Sequence, residues 1–105
     1  MPVDAGEDMT GPDLVAAVEE HTALFNACVG TGDWAPFLAT FTDDARAGIA
    51  DWYATRPPTR TMTLLDVQVL GDSTVQVSFV LSSGRRGSMV VRWHGAKVAA
   101  VELTT

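Results

Sequence analysis

The chain has 105 residues, 47% of them apolar and 19% charged, with a net charge of −6; this is the size and composition of one ordinary globular domain and excludes a disordered chain. Seven Lys and Arg against thirteen Asp and Glu exclude the basic surface that a nucleic-acid partner requires. No apolar run approaches the ~20 residues that cross a bilayer, and the single cysteine, Cys28, supports neither an internal disulfide nor, alone, a metal site.

Residues 1–10 are small, polar and acidic, and read as a disordered tail with no apolar core of a secretory signal. Thr10-Gly11-Pro12-Asp13 reads as a helix start, with a cap residue, proline in the first turn and an acid facing the helix dipole. Leu14, Val15, Val18, Thr22, Phe25, Cys28 and Val29 then recur at steps of three and four, which predicts an amphipathic helix to about Val29. Gly30-Thr31-Gly32 stops it. Asp33 caps a second, short helix whose apolar face is Trp34, Phe37, Leu38 and Phe41, with Pro36 harmless in its first turn. Thr42-Asp43-Asp44 caps a third, with Ile49, Trp52 and Tyr53 at helical spacing, and Arg56-Pro57-Pro58 ends it.

The remainder alternates with period two. Leu65, Val67 and Val69 form one face of a strand over residues 61–70; Val75, Val77, Phe79 and Leu81 form the second; Met89, Val91 and Trp93 the third; Lys97 to Leu103 is the fourth. Gly71-Asp72-Ser73, the loop 82–87 and His94-Gly95-Ala96 are short connections, so consecutive strands are antiparallel neighbours. The expected fold is α+β: three N-terminal helices over the apolar face of a four-stranded antiparallel sheet, with residues 11–105 as a single domain.

The charge is uneven. Residues 1–51 carry ten acids and one base, whereas residues 52–105 carry three acids and six bases. Two oppositely charged surfaces explain this most simply. A sharper reading is a basic mouth of Arg56, Arg60, Arg85, Arg86 and Arg92 that attracts an anionic ligand.

The run from His21 to Trp34, containing Gly32-Asp33-Trp34 and continuing through Leu38, Phe41 and Asp43-Asp44-Ala45, resembles the opening of the nuclear transport factor 2-like superfamily, which includes SnoaL-like and ketosteroid isomerase-like proteins. Arg46-Ala-Gly-Ile49-Ala-Asp-Trp52-Tyr53 is similar to that superfamily's next helix, and Val90-Val91-Arg92-Trp93 leading into Lys97-Val98 to its last hairpin. The resemblance covers residues ~12–103. It implies a cone-like, cystatin-type roll of curved sheet around a long helix, often dimeric and often holding an apolar pocket. One departure stands out: Asp43-Asp44-Ala45 runs directly into Arg46-Ala47, where members of the superfamily usually carry a strand pair. The chain resembles a shortened member that lacks one pocket wall.

In ketosteroid isomerases a helix tyrosine and a protonated strand aspartate hold an oxyanion while a second aspartate moves the proton, which needs two donors aimed at one oxygen in a dry site. The resemblance places those two donor positions at Phe25 and Met89, neither of which donates, and the general base in the absent strand pair. Isomerase chemistry of that kind is therefore not expected. The remaining catalytic candidates are His21 as an acid or base, Asp51 as a pocket carboxylate and Tyr53 as a donor to a ligand carbonyl. Each also has a plain structural reading: a boundary histidine, a solvated helix acid and a core-edge ring. Cys28 reads as a buried small hydrophobe, Asp43-Asp44 as a cap, and Gly84-Arg85-Arg86-Gly87, with no helix after it, is not a phosphate loop. His21 and His94 have no metal-ligand spacing, so neither a metal nor another cofactor is expected. Phe25, Trp34, Phe37, Trp52, Tyr53, Met62, Phe79, Met89 and Trp93 are the candidate lining of an apolar pocket.

These residues favour a cytoplasmic, non-catalytic domain that binds an apolar small molecule, forms a homodimer, or both. One alternative is a small-molecule isomerase, cyclase or hydratase using His21, Asp51 or Tyr53. Another is an accessory subunit whose partner supplies the absent strands.

Overall fold

A computed structural model describes residues 11–71 and 73–104, with the side chains of residues 11 and 12 left undescribed. The expected tail over residues 1–10 and the identity of Asp72 as a turn residue lie outside the described part. The helices are α1 (Gly11–Thr31), α2 (Ala35–Leu38) and α3 (Asp43–Thr55), and the strands are β1 (Met62–Gly71), β2 (Thr74–Leu81), β3 (Arg86–His94) and β4 (Lys97–Leu103). The sheet order is β1-β2-β3-β4, antiparallel throughout. The fold is α+β, helices first and sheet second.

α1 runs past Gly30 and stops at Gly32, whose φ of +79° is the left-handed conformation glycine adopts without a Cβ penalty. The Gly32 amide closes the last turn on Cys28 O at 2.8 Å. Gly30 lacks that conformation, so the helix continues through it. Leu14, Val18 and Cys28 are buried on the stripe facing the sheet.

α2 is shorter than the apolar spacing suggests, because Phe41 leaves the helix. It makes a parallel bridge to Val98, with Thr42 N donating to Val98 O at 2.9 Å and Val98 N donating to Thr40 O at 2.8 Å. This covers the start of the β4 edge, where backbone groups would otherwise be left unpaired. Asp33 serves the start of α2 through an Asx turn, Oδ1 accepting from Ala35 N at 3.1 Å. Thr42 caps α3, its hydroxyl accepting from Ala45 N at 3.2 Å, and Asp43 pairs with Arg46 at 2.7 Å.

The sheet's inner face follows the alternation on β2, where Val75, Val77 and Phe79 are buried, and on β3, where Val91 and Trp93 are buried. β1 differs. A bulge between Leu64 and Asp66 inserts Leu65 into the strand, so Met62 and Leu64 face inward on one phase and Val67 on the other, while Val69, opposite Val75, stays 43% exposed. Leu65 is left 49% exposed, which corrects the expectation that it shares a face with Val67 and Val69. The free edge of β1 begins with a side-chain substitute for a strand: Asn26 Nδ2 donates to Met62 O at 2.9 Å and its Oδ1 accepts from Met62 N at 2.8 Å.

The core joins α1, α2 and the sheet through Leu14, Val18, Cys28, Trp34, Phe37, Phe41, Val75, Val77, Val91, Trp93 and Val98. Each fully buried valine or leucine contributes about 1.5–3 kcal/mol relative to exposure. α3 contributes no fully buried residue; Ala45, Ile49 and Tyr53 pack partly against the core from above.

Candidate functional site

Between α3 and the inner face of the sheet lies an open cleft of about 510 Å³, within the ~300–1,000 Å³ usual for small-molecule sites. Phe25 and His21 reach it from α1, Phe37 and Phe41 from the α2 segment, and Ile49, Trp52 and Tyr53 from α3. Met62, Phe79, Leu81, Met89, Val91, Val101 and Leu103 line it from the sheet, while Pro58, Thr59 and Arg60 form part of the rim, with Thr22 completing the lining. Trp52 at 50%, Val101 at 43% and Leu103 at 72% exposure mark apolar surface that remains in solvent beside the cleft.

The aromatic residues hold one another in place. Phe37 is the hub, with ring centroids 4.5 Å from His21, 5.6 Å from Phe25, 5.2 Å from Phe41 and 5.6 Å from Tyr53. Most of these are edge-on or tilted, the arrangement the ring quadrupoles favour. On the sheet, Gly87 lies opposite Phe79, and a Cβ there would sit 2.7 Å from Phe79 Cζ. The glycine leaves room for the far end of the Phe79 ring against the β3 backbone.

His21 is the most constrained polar group. Thr40 Oγ1 donates to Phe37 O at 2.6 Å and lies 2.9 Å from His21 Nε2. A hydroxyl has one hydrogen, so it accepts from the imidazole, which assigns the ring proton to Nε2 and leaves Nδ1 an acceptor. Burial among rings pushes the His21 pKa down from 6.5 to about 4, because a charged imidazolium loses solvation there. The same cause pushes Tyr53 up from 10.0 to about 12. Near neutral pH both groups are uncharged: they can donate or accept a hydrogen bond to a ligand, but His21 is a weak base and Tyr53 a weak acid.

Of the nine candidate pocket residues, Phe25, Phe37, Trp52, Tyr53, Met62, Phe79 and Met89 line the cleft. Trp34 and Trp93 do not. Trp34 is buried behind it against Phe25, Phe37 and Tyr53, and Trp93 packs edge-on to His21 and lines a separate hollow of about 180 Å³ with Glu20 and Thr40. Trp93 Nε1 is buried without a hydrogen-bond partner. Among the catalytic candidates, His21 and Tyr53 reach the cleft. Asp51 is exposed on α3 and is absent from the lining, since the helical turn that brings Trp52 and Tyr53 to the cleft carries it away.

The basic mouth contracts to one residue. Arg60 lines the cleft, whereas Arg56 caps the end of α3, Arg85 lies in the β2–β3 loop, and Arg86 and Arg92 share the strand phase of Ser88 and Val90 on the outer face. Sequence reasoning missed Thr22, Ile49, Pro58, Thr59, Leu81, Val91, Val101 and Leu103 as lining. Leu81 and Val91 had a usable signal, lying two residues from Phe79 and Met89 on the same face; the rim residues Pro58 and Thr59 had none.

Among the described residues no cluster of three His, Cys, Asp or Glu side chains forms a metal site, and no helix is long and apolar enough to cross a membrane. The chain matches no protein-family model, no curated protein and no solved structure.

Proposed function

We propose that this domain is a non-catalytic binding module that takes an apolar small molecule into the cleft under α3. The observation that carries this reading is an open, hydrocarbon-rich cleft whose titratable residues His21 and Tyr53 are held uncharged by burial. Such a surface rewards apolar contact. Proton transfer at neutral pH gets little from an imidazole with a pKa near 4. The order of helices and strands, and the direct passage from Phe41 through Asp43-Asp44 into α3, accord with a shortened nuclear transport factor 2-like domain, and that kinship is part of the proposal.

Titration with the neutral fluorophore Nile red tests it. Saturable emission at one site per chain is expected, weakened in Trp52→Ala, where an exposed ring is removed from the cleft wall. An emission change that never saturates, or that Trp52→Ala leaves untouched, refutes the reading.

Exposed Trp52, Val101 and Leu103 beside the cleft also support a homodimer that covers this surface. The outer sheet face is mixed, with Gln68, Gln76, Ser78, Ser88 and Arg92 beside Val80, Val90 and the exposed Leu70. Light scattering of a monomer at every concentration refutes the dimer. The enzymatic alternative retains one supporting observation, that His21 and Tyr53 both line the cleft and both contact the Phe37 ring.

A further inference from the structure

We infer that the occupant of the cleft is a small amphipathic carboxylate, its hydrocarbon part lying on the sheet side of the cleft and its head group pairing with Arg60. The inference rests on the binding reading above and adds the ligand's charge and orientation.

Among the described residues no aspartate or glutamate lines the cleft, and Arg60 is the one permanently charged residue there. Among the described residues no hydrogen bond or ion pair engages Arg60, so its five N–H donors remain available to an incoming ligand. Arg60 follows Pro57 and Pro58, whose rings fix the backbone φ where the chain leaves α3 for β1. The prolines restrict the backbone that leads to Arg60, whose exposed side chain lines the mouth of the cleft. A planar guanidinium matches a carboxylate in two parallel hydrogen bonds.

The opposite end of the problem is equally one-sided. Phe79, Met89, Val91 and Leu103 offer hydrocarbon and sulfur, with no partner for a second charge. A cationic ligand would meet Arg60 with no acid to offset the repulsion. A neutral apolar ligand fits but leaves Arg60 unused. With a net charge of −6 the chain does not draw anions by its overall field. Selectivity therefore depends on the local contact, and the apolar tail supplies most of the affinity.

Calorimetric titration of the full chain with decanoate and with decan-1-ol, the same chain length with and without charge, separates these contributions. Decanoate is expected to bind about two- to fivefold tighter than decan-1-ol, the range for a solvent-exposed ion pair. This preference shrinks with added salt. Arg60→Gln is expected to bring the two affinities together, while Arg56→Gln, off the cleft, leaves the preference intact. Equal binding of the two ligands, or a preference that survives Arg60→Gln or disappears equally in Arg56→Gln, overturns the inference while decan-1-ol binding still supports an apolar site. Failure of both ligands, together with failure of Nile red, overturns the inference and the binding reading together.

Discussion

Acidification should weaken this fold through one buried imidazole. His21 has a pKa near 4 in the folded chain against 6.5 for an ordinary histidine. As pH falls below 6.5 the unfolded chain takes up the proton first, so folding stability declines through the window from about 6.5 to about 4 and is fully present above it. At about 1.4 kcal/mol per tenfold change in proton affinity, the whole gap amounts to about 3 kcal/mol. That is a large share of the ~5–15 kcal/mol net stability of a small domain. Urea unfolding followed by tryptophan fluorescence between pH 7.5 and pH 4 measures it directly. Carboxylates titrate near the lower end too, so the informative quantity is the difference between the wild type and His21→Gln. The variant loses the Thr40 contact as a fixed penalty but lacks the titration, and its stability should fall less steeply between pH 6.5 and pH 5. Parallel curves over that interval would show that His21 does not titrate with a lowered pKa, and the account of its burial would be wrong.

Substitutions at three further positions test the local arguments. Gly87→Ala should cost about 1–3 kcal/mol by pushing the Phe79 ring off the β3 backbone, and should alter Nile red affinity; an unchanged melting temperature would show that the ring has room to move. Asn26→Ala leaves both Met62 backbone groups without their side-chain partner and should lower stability by about 1–3 kcal/mol. Faster amide exchange at Met62 is the specific readout. Thr42→Ala should cost about 1 kcal/mol and Thr42→Ser much less, because the cap needs only a hydroxyl oxygen; equal losses in denaturant midpoint would refute the capping role.

Local rules made the helices and the order of strands legible. The Thr42 cap, the proline stop after Arg56 and the alternation of Val75, Val77 and Phe79 each act within a few residues, and each has its counterpart in the fold. Where tertiary pairing decides, the sequence was silent or misleading. Phe41 sits at helical spacing from Phe37, but Val98, far along the chain, offered backbone hydrogen bonds that outweighed another helical turn. Leu65 obeys strict alternation in the sequence, and a bulge defeats it. Trp34 and Trp93 are large apolar rings like Trp52, and only three-dimensional packing puts the first two behind the cleft and the third on its wall. Arg60 stood out only as one arginine among several until the loop after α3 placed it at the rim.

The division between sheet and third helix has a consequence for how this chain tolerates change. Residues that hold the fold together come from α1, α2 and the sheet, while α3 forms one bank of the cleft without sinking any side chain completely. Exchanging the half-exposed Trp52 alters what fits there at little risk to folding, whereas Ile49 and Tyr53 also pack against the core. Foldability and selectivity thus rest on largely separate sets of positions, and new binding preferences can be explored from one side of the molecule while the other keeps it intact.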